Sequence, residues 1–207
     1  MSEQAPTTQT SELPSKPRII YGEGLDPSVL VDPEAAAQTM RELGVSEAGI
    51  ANSAVYIDPK NRLANNGTHY TNRLGRLRFR SVPELQDVEG DIVRLSTKVR
   101  GKERTAEQMN KTATHEWEHL AQEDRHDRKV TEGHIAIYGL TALGALAGNR
   151  LGKGAKGKAG AAIGGFLGYQ LGYWLAPHER QARLRAGQVR GLEPQVASKA
   201  IQRKPKK

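Results

Sequence analysis

Residues 114–119 read T-H-E-W-E-H, and within them lies the pattern H-E-x-x-H. His115 and His119 are four residues apart, so on a helix they lie one above the other on one face and can both reach one metal ion. Glu116 follows the first histidine and is placed beside that ion, where it can take a proton from a bound water molecule. The stretch therefore predicts a metal site built on a helix.

The sequence around the pattern predicts a long helix with one buried face. Thr105 and Gln108 have the spacing of a capping box, which opens a helix. From there to about Arg128 the chain has no glycine or proline and is rich in good helix formers. Helical spacing places four residues on one stripe, namely Met109, Ala113, Glu116 and Leu120. Burying a carboxylate is costly unless it has a chemical role. The stripe therefore favours a catalytic Glu116 over the alternative, an ordinary helix whose histidines and glutamates are solvated.

The composition limits the classes of protein to which the chain can belong. Its 207 residues suffice for one moderate domain, or for a small domain with an appendage. There is no cysteine, so any zinc ion must be held by histidine and carboxylate side chains. Residues 1–18 are polar and lack the apolar core of a secretory signal, so we expect a disordered lead-in there. The expected location is cytoplasmic unless another segment binds a membrane.

The net charge of +8 suggests a nucleic-acid partner at first sight, but its distribution argues against one. Residues 149–158 carry four basic and no acidic side chains, and the tail at 194–207 carries five basic and no acidic ones. These nine basic side chains carry more positive charge than the net charge of +8, so the rest of the chain is close to neutral. Local basic patches suit anionic lipid head groups at least as well as phosphodiesters, although the tail can equally be a solvated basic segment.

A coarse pass along the chain predicts one helix and a few strands before the motif helix. Asp32 and Pro33 open a helix that runs to about Leu43, and Gly44 ends it. Apolar or alternating runs predict strands at about residues 19–21, 54–57, 74–82 and 92–96. The expected fold class is therefore α+β.

The same order of elements, followed by an H-E-x-x-H helix, is found in small zincin domains, and the chain resembles the zincin metallopeptidases. The resemblance covers roughly residues 32–122 and one later segment, within a predicted zincin-like domain at 19–133, and only H-E-x-x-H is specific. It implies Zn²⁺ as cofactor, a peptide or protein as substrate, and an edge strand that holds the substrate by strand addition. The motif also arises by chance in about one chain in a hundred.

A catalytic zinc site needs a third protein ligand. The zincin class with the motif H-E-x-x-H-x-x-G-x-x-H is disfavoured, because Gln122 and Arg125 stand at its last two positions. The next acidic residue after Glu132 is Glu179, within P-H-E-R-Q-A at 177–182.

This later segment resembles the E-x-x-A of glutamate-zincins, which implies Glu179 as the third ligand. His178 is the alternative, since histidine serves zinc equally well. Pro177 is suited to the first position of a helix, which we expect over 178–193. Membrane-embedded peptidases of the heat-shock and prenyl-protein-processing type have Asp where this chain has Arg183, so the partner that orients a histidine ligand must come from elsewhere.

Residues 134–177 contain no acidic residue and half of the glycines of the chain. Glycines spaced by four form two ladders: Gly144, Gly148 and Gly152, then Gly160, Gly164, Gly168 and Gly172. The ladders predict a glycine-zipper hairpin with arms at about 135–148 and 159–177. Such a hairpin suits either a transmembrane segment or a soluble, oligomerising one, and in both cases it returns the chain to the motif helix.

Other histidines and tyrosines near the predicted site have weaker roles. His126 and His134 are expected at the surface or in support of the ligands, where one of them could stabilise an oxyanion. Tyr169 and Tyr173 could stabilise the oxyanion too, but because they lie inside the glycine-rich run they are rather expected to pack.

The sequence thus predicts a small, membrane-associated zinc peptidase. His115, His119 and Glu179 hold the ion, and Glu116 is the general base. The alternative is a non-enzymatic membrane or scaffold protein, in which glycine-zipper helices drive assembly and H-E-x-x-H is accidental.

Overall fold

The computed structural model describes residues 15–59, 67–70, 82–88, 90–125, 128–152, 154–190, 193–196 and 198–204. Its strands are β1 Arg18–Tyr21, β2 Val29–Val31, β3 Ala54–Asp58, β4 Gly67–Tyr70, β5 Ile92–Ser96, β6 Lys98–Val99, β7 Lys102–Glu103 and β8 Ile201–Arg203. Its α-helices are α1 Pro33–Leu43, α2 Glu47–Ala51, α3 Ala106–Asp124, α4 Arg128–Asn149, α5 Ala155–Leu175 and α6 Pro177–Arg185, with a 3-10 turn at Pro83–Leu85. This mixture of helices and small sheets is compatible with the predicted α+β class. The predicted strand at 74–82, apart from Val82, and the lead-in up to residue 14 lie outside the described residues.

Among the described residues, the largest sheet has four strands in the order β1-β3-β5-β4. β1, β3 and β5 are parallel, whereas β4 is antiparallel to β5 and is the last described strand on its side. Every residue of β3 is buried, as expected for a strand that is covered on both faces. Val55 and Ile57 belong to the main core, while Tyr56 packs in a smaller cluster with Leu85 and Val88.

Capping side chains set the bounds of the two long helices that pack in this main core. The Asp32 carboxylate accepts two backbone N–H groups from the first turn of α1, and Gly44 ends that helix with a φ of 89°. Thr105 and Gln108 form the predicted capping box at the start of α3. The predicted bounds of α1 and the predicted start of α3 are therefore confirmed.

α3 packs against α1, β4 and β5. All four residues of the predicted stripe are buried on it: Met109, Ala113, Glu116 and Leu120. Trp117 is fully buried on the same helix and fills the main core. The packing of this apolar face carries the Glu116 carboxylate into the protein, which is where the motif requires it.

α4 and α5 form the predicted antiparallel pair of arms, called the hairpin below; the remaining elements are called the body. A Cβ added at Gly144, Gly148, Gly160 or Gly164 would come within 2.2 Å of a carbonyl oxygen of the opposite arm, so the two backbones touch only because these residues are glycine. The arms are longer than predicted, since α4 begins at Arg128 and α5 begins at Ala155, inside the predicted turn. Within the described part of the chain, no helix combines the length and hydropathy needed to cross a membrane.

After the hairpin, Pro177 opens α6, which ends at Arg185 rather than at 193 as predicted. The segment at 194–207, predicted as a basic tail, is packed in part. β8 pairs antiparallel with β2, and three apolar residues join the main core: Val196, Ala200 and Ile201. The Asn110 side chain donates to the carbonyl oxygen of Ile201 at 2.8 Å and accepts from its N–H at 2.9 Å.

Candidate metal centre

Three side chains from two helices converge where α3 meets α6. His115 and His119 lie one turn apart on α3, and Glu179 lies in the first turn of α6. The Nε2 atoms of the two histidines are 3.2 Å apart. Glu179 Oε2 is 3.5 Å from His115 Nε2, and Glu179 Oε1 is 3.6 Å from His119 Nε2. The structure thus brings together the three residues that the sequence predicted as ligands.

The spacing of these donor atoms suits a tetrahedral metal ion. Zinc binds imidazole nitrogen and carboxylate oxygen at about 2.0–2.1 Å, so two of its tetrahedral ligands are about 3.3–3.4 Å apart. The two Nε2 atoms, 3.2 Å apart, are close to that value, and each faces a different oxygen of Glu179, at 3.5 Å for Oε2 and 3.6 Å for Oε1. One donor atom from each of the three residues lies within 4.8 Å of the others. Glu179 Oε2 is also buried, and its 3.5 Å contact with His115 Nε2 is long for a hydrogen bond, as expected where a cation or water also serves the carboxylate. The three residues could therefore hold Zn²⁺ after a small shift of the carboxylate.

The charges at this cluster are strongly coupled. Burial raises the pKa of Glu179, but hydrogen bonding and positive charge from His115 and His119 lower it by more, so its pKa lies far below the ordinary value. Burial lowers the pKa of His119, but the Glu179 carboxylate raises it by more, to about 9. The carboxylate is thus ionised, as a metal ligand must be, and His119 has to release a proton when it binds a cation.

His178, the alternative third ligand, is not part of the donor group. Its ring centre is 5.6 Å from that of His119 and 5.3 Å from that of His134, and its Nε2 is 3.9 Å from Glu179 Oε1. It packs closely on Gly133, where an added Cβ would lie 1.8 Å from its Nδ1. These contacts favour Glu179 as the third ligand. They show that His178 packs against the start of α4 at Gly133.

Glu116 is 7% exposed and lies on the same helix as the two histidines. Its negative charge contributes to the raised pKa of His119. Burial lowers the pKa of Arg104 to about 10, and the charge of Glu116 offsets part of that effect. The Arg104 guanidinium donates to the carbonyl oxygens of Ser96 and Gln108 at 3.0 and 2.5 Å. The Glu116 carboxylate is therefore close enough to the candidate ligand His119 and to the buried cation Arg104 to interact with both charges.

Tyr173 lies near the C-terminal end of α5, and the sequence favoured packing for it over the alternative of stabilising an oxyanion. Burial raises its pKa far above the usual range, and the charge of Glu179 and a hydrogen bond to that carboxylate raise it further. Its hydroxyl is thus a proton-bearing group beside the candidate third ligand. The contact with Glu179 was not predicted, because it arises across the break between α5 and α6, which no local spacing encodes. Tyr169, 45% exposed, stacks on Tyr173.

The partner that orients a histidine ligand comes from α3 itself. Gln122 Oε1 is 3.1 Å from His119 Nδ1, and its Nε2 donates to the carbonyl oxygen of His178 at 3.1 Å. Glu118 is fully buried beside it and accepts from Gln181 at 2.7 Å. Because Gln122 Oε1 accepts a hydrogen bond from His119 Nδ1–H, the imidazole ring is held with its Nε2 towards His115 and Glu179.

Arg183 stands where the E-x-x-A-D pattern has its aspartate, and it has a different function here. It donates to the carbonyl oxygen of Trp174 at 2.9 Å and so binds the C-terminal end of α5. His126, predicted as a surface or supporting residue, lies outside the described residues.

A comparison of the chain with known protein families, curated proteins and solved structures finds no significant match. The chemistry of the site must therefore be argued from its own donor atoms. Those atoms are two imidazole nitrogens and a carboxylate in a buried triangle, with a further carboxylate and a phenol close by.

Proposed function

We propose that the protein is a zinc-dependent metallopeptidase of glutamate-zincin type. The single observation that carries the proposal is the triangle of His115, His119 and Glu179, in which one donor atom from each residue lies within 4.8 Å of the other two. Its corners come from positions that the H-E-x-x-H motif and the later E-x-x-A segment predict. If H-E-x-x-H were present by chance, there would be no reason for Glu179 to lie beside the two histidines.

The chain's own residues suit hydrolysis of a peptide bond. A zinc ion held in the triangle would polarise the scissile carbonyl and bring the pKa of a water molecule to about 7. Glu116 takes the proton of the attacking water and later gives it to the leaving amine. Tyr173, whose hydroxyl stays protonated, turns its single O–H from Glu179 to the carbonyl oxygen and so supplies a hydrogen-bond donor for the negative charge that develops there.

β4 supports a peptide as the substrate. Among the described residues it is an edge strand, it is antiparallel to β5, and it contacts the motif helix α3. An extended peptide can add to such an edge through main-chain hydrogen bonds, which would place it next to the helix that carries Glu116. The proposed substrate is therefore an extended or unfolded stretch of a protein.

Two measurements on purified variants test the assignment, namely zinc content by elemental analysis and hydrolysis of an unstructured protein such as casein. Glu116→Gln is expected to keep about one zinc per chain and to lose activity by about a hundredfold to ten-thousandfold. Glu107→Gln is the matched control, because Glu107 is exposed on the same helix and should change neither readout. Retained turnover in Glu116→Gln would overturn the base assignment.

The third ligand has its own test in the same assays. Glu179→Gln is expected to lower zinc affinity and activity together, whereas His178→Gln should leave the zinc content near that of the unmodified chain. The reverse pattern would exchange the roles of the two residues.

The exposed apolar arms of the hairpin favour a second candidate, a non-enzymatic scaffold or membrane-binding protein. Zinc content separates the two candidates. A chain that purifies without zinc and takes up none supports the scaffold.

A further inference from the structure

The outer surface of the hairpin is apolar along both arms. Large side chains more than half exposed occur on α4 and on α5, among them Leu143, Leu146, Ile163, Phe166 and Trp174. A soluble monomer rarely exposes so many neighbouring apolar groups, and such surfaces mark sites of interaction.

The glycine contacts between the arms force this arrangement. Gly148 and Gly160 bring the two backbones so close that a single methyl group would overlap a carbonyl oxygen. At these contacts no large side chain fits between the arms, so most of the large apolar side chains lie on their outer faces, whereas Ile137 is buried. The apolar surface is therefore built into the packing and is not the result of one side-chain conformation.

The charge of the hairpin indicates what covers that surface. The sequence has no acidic residue between Gly133 and His178. Arg150, Lys156 and Lys158 are exposed near the tip, next to Leu151, which is 85% exposed. The other end is followed by three further basic residues in α6: Arg180, Arg183 and Arg185.

A second copy of the hairpin is a poor partner for this surface. Side by side in the same direction, two hairpins would bring tip against tip. In opposite directions, each tip would lie near the arginines of α6. Both arrangements place like charges together, which is destabilising. A nucleic acid would satisfy the basic groups but would leave the apolar side chains without a partner.

We propose that the hairpin binds the surface of an anionic lipid bilayer, with its basic tip against the head groups and its outer leucine and phenylalanine side chains in the acyl region. Lysine and arginine are attracted to anionic head groups, and apolar side chains gain by leaving water. Tyr138 and Trp174 are exposed on the arms and suit the boundary between head groups and acyl chains. The proposal does not depend on the metal centre.

Co-sedimentation of the full chain with vesicles tests the charge. Vesicles of phosphatidylcholine alone are compared with vesicles containing about 30% phosphatidylglycerol, at low and high salt. We expect binding to the anionic vesicles only, weakened by salt and weakened about tenfold or more in the Lys156→Glu/Lys158→Glu variant. The control Lys98→Glu/Lys102→Glu has the same net charge but changes exposed residues of the body, and it should bind like the original chain. Equal losses in both variants, or no binding to anionic vesicles, would overturn the proposal.

A second pair of variants tests the apolar surface. Phe166→Ser/Leu167→Ser should weaken vesicle binding severalfold, while Leu30→Ser on β2 of the body should not. Circular dichroism checks that each variant is folded. The oligomeric state is measured in parallel by light scattering. A dimer that the Phe166→Ser/Leu167→Ser change dissociates, without vesicle binding, would show that a second copy covers the surface and would refute the lipid assignment. Tight binding to duplex DNA or RNA in place of vesicles would refute it as well.

Discussion

The body and the hairpin bury opposite kinds of residue. In the body, large side chains such as Met40, Leu95 and Trp117 are fully buried, and the strands and helices meet through them. In the hairpin, the smallest residue forms the contact, and the large side chains of α4 and α5 lie outside. The same helical backbone is thus stabilised by side-chain packing in one region and by close backbone approach in the other.

This difference separates two tasks within one short chain. A core of large side chains resists deformation, and it positions the helix that carries His115 and His119. A pair of helices that meets through glycine leaves its apolar side chains free for another surface. The candidate metal centre lies where the two regions join, since α6 follows the hairpin directly.

The strongest test of this contrast is the same substitution in the two regions. Leu95→Ala removes a fully buried side chain from β5 and should lower the free energy of unfolding by about 2–5 kcal/mol. Leu167→Ala removes one that is 60% exposed on α5 and should change it by less than about 0.5 kcal/mol. Urea denaturation measures both. A large loss in Leu167→Ala would mean that the outer face of the hairpin is buried against another part of the chain.

A second test uses the charges, which are mixed at the cluster of His119 and Glu179 and are all basic in the hairpin beyond Glu132. In zinc-free protein, the pKa of His119 is about 9, above its unfolded value of about 6.5. The contribution of protonated His119 to the free energy of unfolding is therefore fully present below pH 6.5 and is lost as the pH rises through 9. The lowered pKa of Glu179 makes its own contribution present above about pH 4.5 and lost at more acidic pH. The free energy of unfolding should therefore fall by on the order of 2–3 kcal/mol between pH 6.5 and 9.

Denaturation of the chelator-treated protein at several pH values measures this decline. Glu179→Gln removes the partner charge and should flatten the curve. An equally steep decline in that variant would show that another group is responsible.

Local rules were sufficient for the parts of the fold that depend on neighbouring residues. The capping residues Asp32 and Thr105 predicted where α1 and α3 begin, and the four-residue spacing of the glycines predicted which faces of the arms meet. Glu179 was predicted as the third ligand because its segment resembles the E-x-x-A of glutamate-zincins and because it is the first acidic residue after a long stretch without any, with His178 as the alternative. The candidate ligand set therefore came from motif spacing and from this resemblance.

Contacts between distant segments could not be predicted in the same way. β8 is three residues long and basic at one end, and it is a strand only because β2 and the side chain of Asn110 pair with it. The contact of Tyr173 with Glu179 depends on the angle between α5 and α6. Gln122 stood out only as a departure from a zincin motif, although its side chain supplies the partner of His119.

The glycine contact can be tested against glycine elsewhere in the same arm. Gly148→Ala would place a methyl group 1.9 Å from a carbonyl oxygen of α5 and should destabilise the hairpin by about 1–3 kcal/mol. Gly139→Ala meets no atom within 4 Å and should instead stabilise α4 by about 0.5–1 kcal/mol, because alanine is the better helix former. Hydrogen exchange of the α4 and α5 amides reports the two effects separately from the body. Equal effects of the same sign would indicate that the arms do not meet at Gly148.

The last test asks whether a polar contact in the body, the hydrogen bond between His119 and Gln122, is needed to position a candidate zinc ligand. Gln122→Leu removes the acceptor of His119 Nδ1 and should weaken zinc binding by about 10–100-fold, measured by competition with a chelator. Gln122→Glu keeps an acceptor at that position and should recover most of the affinity. Gln170→Leu is the same substitution at an exposed position of α5 and should leave zinc binding unchanged. The absorption spectrum of the Co²⁺-loaded protein adds a readout of ligand geometry, which should change in Gln122→Leu alone. If Gln122→Leu and Gln170→Leu bind zinc equally well and give the same spectrum, the ring of His119 is held by packing alone. The hydrogen bond that Gln122 Oε1 accepts from His119 would then have no part in forming the site.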